Sequence, residues 1–206
     1  MKFAKLLRYT AFGLSLGFVA LSAGANPVIG QPAPAFTATT ADGAALALSS
    51  LRGKTVVLEW TNHDCPFVKK HYESGNIPAL QKDAAAKGYV WLQVISSAPG
   101  KQGHVDGATA IRLNKERGAT PANTLLDPEG KLGRLYGAQT SPHLFIIDPA
   151  GTLIYKGGID SIPSAKKEDL AKADSYLRLA FADLAAGRKI AQASTQPYGC
   201  SIKYAD

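Results

Sequence analysis

Cysteine is scarce: the chain of 206 residues has two, Cys65 and Cys200. Only one disulfide is possible within it, so the pairing is fixed and only its existence is open. No Lys/Arg run is interleaved with aromatic residues, so the sequence pI of about 9.4 is explained by a solvated basic surface and does not make nucleic acid a partner. No glycine-rich phosphate cradle follows a strand, so no organic cofactor is implied. There is no internal repeat and no second-domain boundary. The apolar run from Ala11 to Leu21 is too short, and too closely followed by Gly, Asn and Pro, to span a bilayer well.

That run has another reading. Lys2, Lys5 and Arg8 precede it, no acid occurs among residues 1–25, and Ala23-Gly24-Ala25 puts small residues at −3 and −1 of a cleavage site. This is the pattern of a secretory signal peptide over residues 1–25. Cleavage after Ala25 is expected, with export, in a bacterial setting to the periplasm, and no stable membrane insertion afterwards. Removing the three leader cations takes the formal charge from +7 to +4. The mature chain is long enough for one domain with a real core.

The chain is organised around Val56 to Tyr72. Val56-Val57-Leu58-Glu59-Trp60 reads as a buried strand, and Thr61 to Asp64 as a polar turn. Pro66 suits the first turn of a helix, where its missing N–H breaks no bond. Cys65 therefore sits at a helix N-terminus, whose orphan N–H groups and macrodipole favour an anion. A thiolate is such an anion, and lowered pKa is what makes a cysteine reactive. A small buried apolar Cys is the plainer alternative.

Before this segment, residues 26–34 are Pro-rich and extended, and two short strands flank an Asp42-Gly43 turn. After it, the Pro66 helix falters near Ser74-Gly75 and resumes with Asn76 as N-cap, ending before Gly88. Tyr89 to Ile95 is a second buried strand. A helix over about 108–117, a short strand over 123–127 and a hairpin of 143–148 with 152–155 follow. Leu170, Ala173, Leu177, Ala180, Phe181 and Leu184 form one apolar stripe, predicting a helix over 166–186 with Ser164 as N-cap. Alternating strands and helices, with a closing hairpin and a final helix, argue for a layered α/β or α+β sheet.

Several separated motifs fall in the order of a known group. Gly30-Gln31-Pro32-Ala33-Pro34-Ala35-Phe36, the Val-Val-Leu-Glu-Trp strand, Cys65-Pro66, and Thr140-Ser141-Pro142 followed by His143 to Asp148 resemble the thioredoxin-like redoxins. That group includes exported thioredoxin-like reductases and the alkyl hydroperoxide reductase/thiol-specific antioxidant proteins. The resemblance implies a thioredoxin-like α/β fold, a central mixed β-sheet with helices on both faces, over residues 26–190, and a tail over 191–206 carrying Cys200. It implies that Pro142 is a cis-proline facing Cys65 across a substrate groove with Asn62, Pro66 and His143. It also implies a thiol electron donor, with a disulfide or a peroxide as substrate. No oligomeric state follows.

The departures are informative. Thioredoxin-type reductases carry Cys-x-x-Cys, but here Val68 stands at the second cysteine. Peroxiredoxins carry Pro-x-x-x-Thr-x-x-Cys, but here Leu58 and Asn62 occupy the Pro and Thr positions. Cys200 is then the natural resolver, since exchange needs a second thiol. A permanent structural clasp is the alternative, and closing so long a loop stabilises by ~4–5 kcal/mol in the chain-entropy model. Two other functions use the same atoms. His63, Cys65, His71 and His143 are of a type to bind Cu(I) or Zn(II), and a redox-inert fold can hold a peptide in the proline groove. Lys69 and Lys70 fit either a thiolate-stabilising pair or a solvated face. Trp60 and Trp91 fit packing. Glu59 fits a paired buried acid serving as proton relay or an exposed strand end.

Overall fold

A computed structural model describes residues 26–205; the signal-peptide reading falls outside them. Seven strands form one mixed sheet: β1 (Thr37–Thr40), β2 (Ala45–Ala47), β3 (Val56–Trp60), β4 (Val90–Ile95), β5 (Asn123–Leu126), β7 (His143–Ile147) and β8 (Leu153–Gly157), in the order β2-β1-β5-β4-β3-β7-β8. β6 (Thr140–Ser141) pairs apart from it with β9 (Cys200–Ser201). The helices are α1 (Pro66–Glu73), α2 (Asn76–Ala86), α3 (Gly107–Glu116), α4 (Lys131–Tyr136) and α5 (Tyr176–Ala185).

β3 lies inside the sheet, parallel to β4 and antiparallel to β7. All five of its residues are buried, because both faces are covered, which is why it reads as an unbroken apolar run. Val57 packs with Val68, Tyr72, Ile77, Leu80 and Phe181 beneath α1, α2 and α5. Val56, Leu58 and Trp60 face the other way, onto Leu132, Tyr136 and Phe145. Period-2 alternation thus assigns one strand to two cores, and Glu59 points toward the α1 side. β3 delivers the chain to Cys65, and β7 returns beside it just after Pro142.

Three expectations need correction. The helix expected over 166–186 is two pieces, a 3-10 turn over Lys167–Ala171 and α5. The groups a continuous helix would use are engaged elsewhere: Ser161 N–H donates to Asp174 O, Tyr176 N–H donates to Ile159 O, and Asp160 bridges Ser175. Asn76 is not the N-cap of α2. Gly75 caps it at φ +75, and the Asn76 amide turns back to donate to His71 Nδ1 at 2.9 Å. The third is an omission, since no sequence signal marks α4 over residues 131–136: it is seated on Asp127, whose carboxylate accepts from Leu132 and Gly133 N–H.

Candidate active site

Cys65 is the N-cap of α1, with Pro66 at the first helical position. The preceding turn is built by Asn62, whose carbonyl accepts from Cys65 N–H at 3.1 Å and whose side-chain oxygen accepts from Asp64 N–H at 2.9 Å. Its amide nitrogen donates to Gln102 O at 3.3 Å. Asn62 therefore shapes the loop, with both ends of its carboxamide in use. Pro66 is exposed, whereas Cys65 is fully buried.

Cys65 belongs to the core cluster beneath α1, and Tyr198 and Cys200 of the tail pack against that cluster. Cys65 and Cys200 form a disulfide spanning 135 residues of sequence, with Cα atoms 5.9 Å apart. β9 lies antiparallel to β6, with Ser141 opposite Cys200, and the Ser141–Pro142 peptide is cis. The Cys65 sulfur lies 3.2 Å from Ser141 O. A carbonyl oxygen has no proton to offer, so it can accept from a Cys65 thiol but cannot stabilise a thiolate. Favouring the anion is left to the N-terminal end of α1. Gly199, at φ +138, passes so close that a Cβ there would stand 2.0 Å from Ser141 O. Pro142, Cys65 and Cys200 are thus brought together.

His143 is not in this group. It sits opposite Trp60 on the other face of the sheet, beside a pocket of about 190 Å³ shared with Tyr136, Gln139 and Lys156. Burial holds its pKa down to about 3. His63 is half-buried beside Asp64 and Lys69, and burial lowers its pKa. Among the described residues, no group of three or more His, Cys, Asp or Glu is placed to hold a metal ion.

Two residues read as ambiguous have definite places. Lys69 is exposed, but Lys70 has a relative exposure of only 1%. Its ammonium lies 3.3 Å from Asp160 Oδ2 and donates to Tyr198 Oη at 3.1 Å. His71 Nε2 is 3.3 Å from the same phenol oxygen and 3.6 Å from Asp160 Oδ2. Burial lowers the His71 pKa to about 4 against the pull of Asp160. The Tyr198 phenol donates in turn to Asp160 Oδ1. No local sequence signal marks Asp160 or Tyr198. The only trace is the spacing Tyr198-Gly199-Cys200, which does not say what the ring meets.

Glu59 is completely buried beneath α1. Tyr72 Oη donates to it at 2.6 Å, Trp91 Nε1 at 2.8 Å and Gln81 Nε2 at 3.5 Å. Burial raises its pKa, opposed by the Tyr72 hydrogen bond and the charge of Arg117.

The fold recurs among solved structures. An uncharacterized conserved protein from Geobacillus kaustophilus is 25% identical, with a TM-score of 0.71 over 92% of this chain and 98% of that one. A hypothetical protein from Sinorhizobium meliloti 1021 is 21% identical, with a TM-score of 0.68 over 88% and 97%. A putative thiol:disulfide interchange protein DsbE from Chlorobium tepidum is 24% identical, with a TM-score of 0.52 over 64% and 85%. No curated protein matches the chain. The profile described as "AhpC/TSA family" matches residues 29–156, a span that includes β3, Cys65 and the cis-proline. On that match and on the mixed sheet that carries it, the chain belongs to the AhpC/TSA family, within the thioredoxin-like redoxins.

Proposed function

We propose that this protein is an exported thiol–disulfide oxidoreductase in which Cys65 is the nucleophile and Cys200 the resolving cysteine. The observation that carries this reading is the Cys65–Cys200 bond at the N-terminus of α1, against the cis-proline. In the forward direction the Cys65 thiolate attacks a substrate disulfide, forming a mixed disulfide and releasing one substrate thiolate. The Cys200 thiolate then attacks the Cys65 sulfur. The second substrate thiolate leaves and the intrachain bridge forms, so two electrons have passed to the substrate.

Re-reduction by an external thiol starts at Cys200. Cys200 is half-buried, whereas Cys65 is fully buried, so a donor thiolate reaches Cys200 first. Cys65 is then the leaving group, and a thiolate at a helix N-terminus leaves readily. Disulfide exchange is favoured over peroxide reduction because the Asn62 carboxamide, at the peroxiredoxin threonine position, is occupied at both ends by loop hydrogen bonds.

The test is redox titration of the mature protein in graded glutathione buffers, with the bridge read by mass. A pair reduced between about −120 and −270 mV behaves as a working couple. A pair that stays oxidised below about −300 mV is a permanent clasp, the reading that full burial of Cys65 favours. In turnover, Cys200→Ser is expected to trap mixed disulfides on Cys65, and unchanged turnover with a thiol donor removes Cys200 as resolver. Export is tested by N-terminal sequencing of mature protein, which is expected to begin at Asn26; retention of Met1 refutes it.

A further inference from the structure

We infer that Tyr198 is a positioning residue that holds Cys200 over Cys65 when the disulfide is open, a role that rests on the proposed thiol exchange between them. The tail is tied down on both sides of the bridge. Upstream, Gly158 N–H donates to Thr195 Oγ1 at 3.0 Å. Downstream, Ile202 N–H donates to Gln139 O at 3.0 Å. Between these ties, Tyr198 and Cys200 pack against the core cluster that contains Cys65.

Within that segment the Tyr198 side chain reaches α1, the helix that begins at Cys65. Its phenol oxygen meets Lys70, His71 and Asp160, and its ring packs edge-on to Phe67 with centroids 5.8 Å apart. The geometry is short-range on both sides: Tyr198 is two residues from Cys200, and residues 65 and 70 of a helix lie about 7.5 Å apart along its axis. Seating the phenol against Lys70 therefore brings Cys200 to Cys65, and Gly199 between them lies on Ser141.

The cluster makes little sense as a second clasp. While the disulfide exists, covalent bonding fixes Cys200 whatever Tyr198 does. Hydrogen bonds from a buried ammonium and to a buried carboxylate are strong, yet they decide where Cys200 stands only after the bond is reduced. At that moment they keep its thiol at high effective concentration against Cys65. Opening the segment would also leave Lys70, 1% exposed, and Asp160, 3% exposed, without their phenol partner, and that opposes release.

The experiment compares wild type with Tyr198→Phe, which keeps the contact with Phe67 and removes only the hydroxyl. Two glutathione thiols convert the bridge to two protein thiols and one glutathione disulfide, a two-electron exchange. The variant's bridge is expected to be easier to reduce by about tenfold in that equilibrium constant, roughly 30 mV. Amide exchange across residues 196–201 of the reduced variant is expected to quicken by a similar factor, with little change in the oxidised one. Lys70→Met, which keeps the apolar stem, is read the same two ways should the first variant fail to fold. Equal potentials and equal exchange in reduced wild type and variant overturn the role of Tyr198 and leave the thiol-exchange reading standing. A wild-type bridge that no glutathione buffer reduces overturns both. A merely structural hydroxyl would lower the melting temperature of both redox states and leave the potential where it was.

Discussion

Glu59 lies at one end of a buried polar chain that runs outward through the domain. It accepts from Tyr72, which accepts from Gln93 Nε2, whose carbonyl accepts from Thr124 Oγ1 at 2.9 Å. Asn114 donates to Thr124, and Arg117 donates to Asn114 and lies over the Tyr72 ring, 3.7 Å from its centroid. These partners reduce the cost of burying the acid without removing it, and the Glu59 pKa stays above its ordinary value of 4.5. The sign follows from linkage. Between that value and the raised one, the unfolded chain has released a proton that the folded chain keeps, so this acid's contribution to stability is full below about pH 4.5 and is lost as pH rises. Glu59→Gln is expected to remove that downward slope from urea-unfolding free energies as pH rises above about 4.5. An unchanged slope would mean that another group carries it.

At the scale of elements, β9 is a strand of two residues, Cys200–Ser201, and its place depends on Gly199. Any side chain there meets backbone at 2.0 Å and adopts a φ of +138, so Gly199→Ala is expected to unseat β9 from β6. Gly187 gives the comparison: it too has positive φ, +68, but open space around it. Gly187→Ala should cost only about 1 kcal/mol of backbone strain and leave the bridge alone. Gly199→Ala should lower the fraction of bridged protein at a fixed glutathione ratio at least tenfold; equal bridging in the two variants would show that the β6 pairing does not hold Cys200. This dependence marks how far the sequence could be read. β3, β4, β7, α1 and the turn before Cys65 were legible because a buried strand, a Cys-Pro helix start and glycine stops are local signals. The cis-proline came from resemblance. The break ahead of α5 was not legible, because Asp174 to Tyr176 spend their backbone groups on Ile159 to Ser161, a pairing no periodicity records. Nor was the burial of Lys70, since its partners lie 90 and 128 residues away.

At the scale of the whole molecule, the sheet separates two buried histidines that titrate alike. His71 lies with α1 against Asp160, and His143 lies on the opposite face near Lys156. Burial lowers the first pKa to about 4 and the second to about 3, from 6.5. Each is neutral in the folded protein where the unfolded chain would already be protonated. Their stabilising contributions are full above about pH 6.5 and are lost as pH falls through these values, on the order of 3 kcal/mol for His71 and 5 kcal/mol for His143. This slope opposes that of Glu59, so the oxidised protein is expected to have a shallow maximum of stability near neutral pH and a steep acid limb below about pH 5. Replacing His143 with Gln in the oxidised protein removes one titrating group without touching Tyr198 or either cysteine. The acid limb should flatten by up to one proton, about 1.4 kcal/mol per pH unit, while the redox potential at pH 7 stays that of wild type. A changed potential would couple the two faces of the sheet, and an unchanged acid limb would put the titration on His71 alone.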